Sequence, residues 1–177
     1  MIAIDWGTSS FRAWRLDGAG AVLEQRSAAA GLTQCDGKFE AVLAAQLDGW
    51  DDAVVVMAGM IGSRSGWREV PYVAAPVGLN DIAAGIVEIG AGAMTDRRVF
   101  IVPGVSQIDH IDDTDAPPEV MRGEETQLMG LAAELAADAD PSWVCLPGTH
   151  SKWVAMRNGR IERLRTAMTG ELYALLR

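Results

Sequence analysis

One small frame occurs twice in this chain, and it restricts the folds open to it. In the first copy the apolar Met1-Ile2-Ala3-Ile4 runs into Asp5-Trp6-Gly7-Thr8-Ser9-Ser10. In the second, Trp143-Val144-Cys145-Leu146 runs into Pro147-Gly148-Thr149-His150-Ser151-Lys152. Each reads as a buried strand, a small-residue turn and a second strand, Phe11–Leu16 in one copy and Trp153–Met156 in the other. A further turn closes each unit, at Asp17-Gly18 and at Asn158-Gly159, and Gly7 and Gly18, like Gly148 and Gly159, lie eleven positions apart. Two such units in matching register predict two related half-domains, each offering a glycine-bearing hairpin. A tight turn with backbone N–H groups and a Thr or Ser hydroxyl is a good phosphate cradle. Two facing cradles would hold one polyphosphate between them.

The bulk properties exclude several classes. The net charge of −9 argues against nucleic acid or an acidic membrane surface as the main partner. No run approaches the roughly 18 apolar residues of a membrane span. The first residues read as a strand with an Asp at position 5, not as a signal peptide. Cys35 and Cys145 read as reduced thiols of a cytoplasmic protein, and His110 and His150 lack zinc-site spacing. A hydrophobic content of 49% in 177 residues supports one ordinary domain or one and a fraction.

Along the chain, Ala21–Arg26 follows as a third strand, then a helical spacing over Phe39–Leu47. Ala53–Met57 is a continuous apolar run suited to a parallel sheet covered on both faces. It ends in Ala58-Gly59-Met60-Ile61-Gly62, a turn at a strand's carboxyl end, where open α/β sheets bind ligands. Residues 63–78 read as an ordered excursion, Leu79–Ile89 as a helix and Val99–Val102 as a strand. The acidic, proline-bearing stretch Ser106–Pro118 is expected to be a mobile loop. Glu124–Ala137 reads as a helix broken at Ala139-Asp140-Pro141, the expected domain boundary, so that residues 1–140 form one domain and 141–177 open a second. Thr169 is placed to cap a last helix from Gly170. This order predicts an α/β fold with a mixed sheet. If the halves are related, most of the second domain lies outside these residues.

Four constellations carry potential chemistry. Asp5, Gly7, Thr8 and Ser9 suit a phosphate cradle with a carboxylate for Mg²⁺, or a plain hairpin with a stabilising Asp. In Arg122-Gly123-Glu124-Glu125, either Glu is a candidate general base toward a hydroxyl attacking a γ-phosphate, or both simply complement the helix dipole. Gly148, Thr149 and His150 form the second cradle, and Lys152 either adds charge there or is solvated. Arg165 is a candidate partner for a substrate carboxylate, or part of an exposed basic strand with Arg163. Trp6 and Trp67 either wall a sugar site or fill the core.

Asp5-Trp6-Gly7-Thr8-Ser9, Met57-Ala58-Gly59-Met60-Ile61-Gly62, Gly66-Trp67, Pro71-Tyr72, Val120 to Leu128, Leu146 to Trp153 and Arg165 to Leu172 together resemble the 2-dehydro-3-deoxygalactonokinase family. These blocks cover nearly the whole chain. The resemblance implies the sugar kinase, Hsp70 and actin superfamily, with a ribonuclease-H-like fold in each of two domains and ATP in the cleft between them. It implies ATP- and Mg²⁺-dependent phosphorylation of 2-dehydro-3-deoxy-D-galactonate at its 6-hydroxyl in galactonate catabolism. By that analogy Glu124 matches the superfamily's catalytic Asp, with Glu125 as its rival. Asp5, Gly7, Thr8, Ser9, Gly148, Thr149 and His150 handle phosphate and metal. Gly59, Met60, Gly62, Trp67, Arg122 and Arg165 line the sugar-acid site. Family members continue well beyond residue 177, and the adenosine-binding glycine motif has no counterpart here. Activity of this stretch alone is therefore doubtful, and an apolar edge left uncovered would permit a homodimer. The other readings are a non-catalytic actin-like module binding a sugar acid or nucleotide, and a kinase of the superfamily acting on another small substrate.

Overall fold

Alternating apolar residues at 2, 4 and 6 and at 11 and 13 make the first two strands one-sided, and they bury the same face. β1 (Ile2–Trp6) and β2 (Phe11–Leu16) pair antiparallel from Ile2 opposite Arg15 to Trp6 opposite Phe11, and β3 (Val22–Ala28) extends the meander. In this computed structural model the described residues are 1–90, 92, 94, 96–108, 118–132, 134–135 and 141–177. They form two compact units, Met1–Pro71 with Gly85–Pro103, and Tyr72–Ala84 with Gly104–Arg177.

The first unit is built on a six-stranded sheet ordered β3-β2-β1-β4-β7-β6, with β4 at Val54–Ala58, β6 at Val87–Ile89 and β7 at Arg98–Ile101. β4 runs parallel to both β1 and β7, while the outer strands are antiparallel, so the sheet is mixed. The expected apolar run thus occupies a parallel position in the middle of the sheet. Helix α1 (Phe39–Gln46) buries Phe39 and Leu43. Trp6 meets Phe11 and Phe39 edge-on, with ring centroids at 5.0 and 6.1 Å, and its indole N–H donates to the Ala30 carbonyl at 2.8 Å. Satisfying the N–H lets the large ring be buried without an orphaned donor.

The second unit carries two three-stranded sheets. One is a meander ordered β10-β11-β12, at Ser142–Leu146, His150–Arg157 and Arg160–Met168. The other is ordered β5-β8-β9, at Val73–Ala74, Val105–Gln107 and Glu119–Met121. Helices α2 (Leu79–Ala84), α3 (Glu124–Leu131) and α4 (Gly170–Leu175) complete it. Both copies of the repeated frame are therefore the first hairpin of an antiparallel three-strand meander.

Four expectations are corrected. The helix from Leu79 ends at Ala84; Gly85 follows it, and the β-branched Val87 and Ile89 pair with β7 instead. Ser106 and Gln107 belong to β8, not to a loop, while residues 109–117 lie outside the described residues. Helix α3 stops at Leu131 rather than Ala137; residues 136–140, with most of the expected boundary, also lie outside the described residues. β11 starts at His150, so His150, Ser151 and Lys152 are strand residues and the turn is shorter than expected.

Candidate functional site

In the first unit, Asp5 sits near the end of β1, beside Ala58 of β4 and across from Arg12. Burial pushes its carboxyl above the ordinary range, and the Arg12 guanidinium, 3.4 Å away, opposes that rise. The Gly7 N–H donates to the Ser10 carbonyl at 2.9 Å, so this group closes the turn and is not offered to a ligand. The Thr8 and Ser9 N–H groups have no backbone partner among the described residues. The segment after β3 braces the turn. Leu32 and Thr33 donate their N–H groups to the Gly7 and Thr8 carbonyls, each at 3.1 Å, and the Thr33 hydroxyl donates to Thr8 at 3.0 Å. A Cβ on Gly31 would lie 2.4 Å from the Thr8 carbonyl oxygen, so Gly31 is glycine because the turn presses on it. Gly7 differs: a Cβ there would meet only Ser10 atoms at 3.5 Å or more. The surroundings of the turn therefore do not require glycine at position 7.

The turn after β4 is joined to this site. Gly59 has φ 93°, and a Cβ on it would lie 2.9 Å from the Trp6 carbonyl oxygen and 3.2 Å from an Asp5 carboxylate oxygen. Met60 and Gly62 belong to the single tight turn that follows. Trp67 is half-buried and lines a cavity of about 430 Å³ with Gly37, Lys38, Phe39, Glu40, Ala41 and Ala44. Trp6, in contrast, is fully buried in the core and cannot wall a ligand site.

In the second unit, Gly123 takes φ 113°, a conformation that favours glycine, and starts α3. Its N–H donates to both carboxylate oxygens of Glu125, at 2.9 and 2.7 Å, and the Thr126 hydroxyl adds a bond at 3.3 Å. Glu125 is fully buried, and burial pushes its carboxyl up to about 7. Glu124 is half-buried, and its carboxylate accepts the Arg122 N–H at 3.1 Å. The two candidate bases thus differ sharply: one is sealed in the turn, the other reaches its surface. Arg122 is itself buried, with its guanidinium 4.2 Å from the centre of the Tyr72 ring. This stacking partner lies 50 positions upstream, and no local signal in the sequence points to it.

The second cradle is open on one side and braced on the other. A Cβ on Gly148 would meet only the His150 carbonyl oxygen, at 3.5 Å. The Gly148 carbonyl accepts the Gly170 N–H at 3.2 Å, and the Thr149 carbonyl accepts the Glu171 N–H at 3.0 Å. Thr169 stands at the start of α4, but its hydroxyl makes no cap bond; it lies 2.5 Å from the Ser151 hydroxyl. His150 Nε2 lies 2.9 Å from a Glu171 carboxylate oxygen, in an exposed pair. Arg165 is exposed, opposite Trp153, while its neighbour Thr166 lies across from Lys152 on the other face of the sheet. Each cradle is therefore local to one unit: Asp5 to Ser9 and Gly59 to Gly62 come together in the first, and Arg122 to Glu125 and Gly148 to His150 lie in the second.

Comparison with known proteins follows from these blocks. The model of the 2-keto-3-deoxy-galactonokinase family matches residues 5–177. The chain is 43% identical to "Probable 2-dehydro-3-deoxygalactonokinase DgoK1" of Rhizobium meliloti (strain 1021), over 97% of this chain and 54% of that protein. It is 41% identical to the 2-dehydro-3-deoxygalactonokinase of Escherichia coli (strain K12), over 99% of this chain and 56% of that protein. The chain thus spans about half the length of the curated relatives it matches. A Sinorhizobium meliloti crystal structure bearing the same kinase name superposes with a TM-score of 0.86 at 42% identity, over 99% of this chain and 55% of that one. An Aquifex aeolicus Ppx/GppA phosphatase shares the fold alone, with a TM-score of 0.51 at 12% identity, over 97% of this chain and 53% of that one. With the family model spanning all but the first four residues, the chain belongs to the 2-keto-3-deoxy-galactonokinase family.

Proposed function

We propose that this chain serves ATP- and Mg²⁺-dependent phosphorylation of 2-dehydro-3-deoxy-D-galactonate at its 6-hydroxyl, in the cytoplasm. Residues 1–140 act as an actin-like, ribonuclease-H-like domain with the sugar-acid site, and 141–177 contribute the opening hairpin of a second domain of that kind. The observation that carries the reading is the Arg122–Glu125 turn: an accessible carboxylate, Glu124, is held by a backbone N–H at a helix start beside a sealed one. Glu124 accepts the proton of the substrate hydroxyl, and Glu125 shapes the turn. Thr8, Ser9, Gly148 and Thr149 hold phosphate oxygens with N–H and hydroxyl groups, and the backbone at Gly7 and Gly148 is not crowded, a Cβ there meeting its nearest atom at 3.5 Å. Asp5 would hold the metal. When bound, Mg²⁺–ATP supplies the phosphoryl group. The Gly59–Gly62 turn, Trp67, Arg122 and Arg165 orient the keto-deoxy acid.

An ADP-coupled assay of the enzyme with this keto acid tests the proposal. Glu124→Gln is expected to lower kcat by about 10²–10⁴-fold with little change in KM, the range of a lost general base. Near-normal turnover would remove Glu124 from the role. Calorimetric binding of Mg²⁺–ATP and keto acid without any ADP release would favour a non-catalytic module.

A further inference from the structure

Lys152 stands in the second cradle's sequence, yet its side chain is directed at neither Gly148 nor Thr149. In β11 it lies opposite Leu146 of β10 and Thr166 of β12. Its ammonium donates to the Val120 carbonyl at 2.6 Å and to the Thr166 hydroxyl at 2.9 Å. Two of its three N–H bonds are thus committed within the protein. Val120 is in β9, and the next residues are Met121, Arg122, Gly123 and Glu124. β9 is only three residues long and pairs with β8 on one side. A parallel tie joins β8 itself to the meander, where Gln107 accepts the Leu164 N–H at 2.7 Å.

We propose that Lys152 is a positioning residue for the phosphoryl transfer: its ammonium ties the meander that carries the Gly148-Thr149 turn to β9, and so fixes the Arg122-Gly123-Glu124 turn in place. The proposal rests on reading Glu124 as the base and Gly148-Thr149 as a phosphate turn. A charge-assisted bond to a carbonyl in a half-buried setting is stronger than a neutral one, so one side chain suffices to hold a short strand. Were Lys152 instead a direct phosphate ligand through its remaining N–H, removing the ammonium would cost triphosphate affinity. The two roles therefore separate in the effect of removing the ammonium.

The test uses this chain, inorganic triphosphate as the probe, and amide hydrogen exchange. In Lys152→Met, exchange of the Arg122 and Gly123 N–H groups is expected to speed up about 10-fold or more, as opening of that turn becomes easier. The Val77 and Ile161 N–H groups, which pair across the same unit, serve as the reference and stay within about twofold. Triphosphate affinity also stays within about twofold of the parent chain, as expected when no ligand contact is lost. Lys152→Arg, which keeps the charge, restores most of the protection. Unchanged exchange at Arg122 and Gly123, equal acceleration at Val77 and Ile161, or loss of triphosphate affinity each overturns the proposal. If the parent chain binds no triphosphate, the reading of the Gly148 turn fails, and the exchange comparison alone still decides what Lys152 holds. Should Lys152→Met not fold, Thr166→Val, which keeps the ammonium and removes one acceptor, is read by the same exchange comparison, with a smaller acceleration expected.

Discussion

Glu125 makes stability depend on pH in a direction opposite to that of an exposed, ion-paired carboxylate. Its carboxyl rises from an ordinary 4.5 to about 7, first because it is buried, with the Glu124 charge adding to the rise. The bonds from Gly123 and Thr126 favour the ionised form but do not overcome burial. Below pH 4.5 the group is protonated in both the folded and the unfolded chain and exerts no effect. Between about 4.5 and 7 the folded chain keeps a proton that the unfolded chain has lost, so stability falls as pH rises. Above about 7 the folded chain carries the full penalty, about 3 kcal/mol. Urea unfolding followed by tryptophan fluorescence, at intervals from pH 5 to 8, measures it against Glu125→Gln. The variant keeps a carbonyl for the Gly123 N–H and cannot titrate. The stability of the parent relative to the variant should drop by about 2.5 kcal/mol across the range, with most of the change below pH 7. A difference that stays flat, or that grows in favour of the parent with rising pH, would refute the assignment of burial as the dominant effect.

Three further outcomes follow from the packing of the first unit. Gly31→Ala drives a Cβ into the Thr8–Ser10 backbone and should cost about 1–3 kcal/mol, read from urea midpoints. Gly7→Ala should leave stability within about 0.5 kcal/mol, because its Cβ makes only ordinary contacts with Ser10, while weakening triphosphate binding in calorimetry; equal destabilisation by the two substitutions would contradict the contrast drawn between them. Trp6→Ala should destabilise by about 3–5 kcal/mol, since the ring is fully buried between Phe11 and Phe39. A thermal midpoint near that of the parent would mean that Trp6 is not a core residue.

Much of the frame was legible because it rests on local rules. The Gly7 and Gly148 turns lie between short apolar runs, and period-two burial names the strands on either side. What failed depended on competition between neighbours. Leu79 to Ile89 has a helical pattern, but Gly85 and the pairing of Val87 and Ile89 with β7 end it early. His150 and Ser151 read as turn residues, yet cross-strand pairing with Met168 and Ala167 extends β11 back to them. Which of Glu124 and Glu125 is sealed and which reaches the surface could not be told from sequence, because only burial and the partner N–H groups distinguish two adjacent carboxylates. Lys152 was equally opaque: its principal acceptor is a backbone carbonyl 32 positions away, and a carbonyl carries no signature in the residue alphabet.

The start of α4 leans so closely on the Gly148 turn that a Cβ on Gly170 would lie 2.5 Å from the Gly148 carbonyl oxygen. Loop and helix are thus a matched pair, though 22 positions separate them. Grafting the Pro147–Thr149 loop into another protein would transplant only half the device unless Thr169 to Glu171 travelled with it. A side chain at position 170 would push on the backbone of a loop remote from it in sequence, so the two positions tolerate change only together.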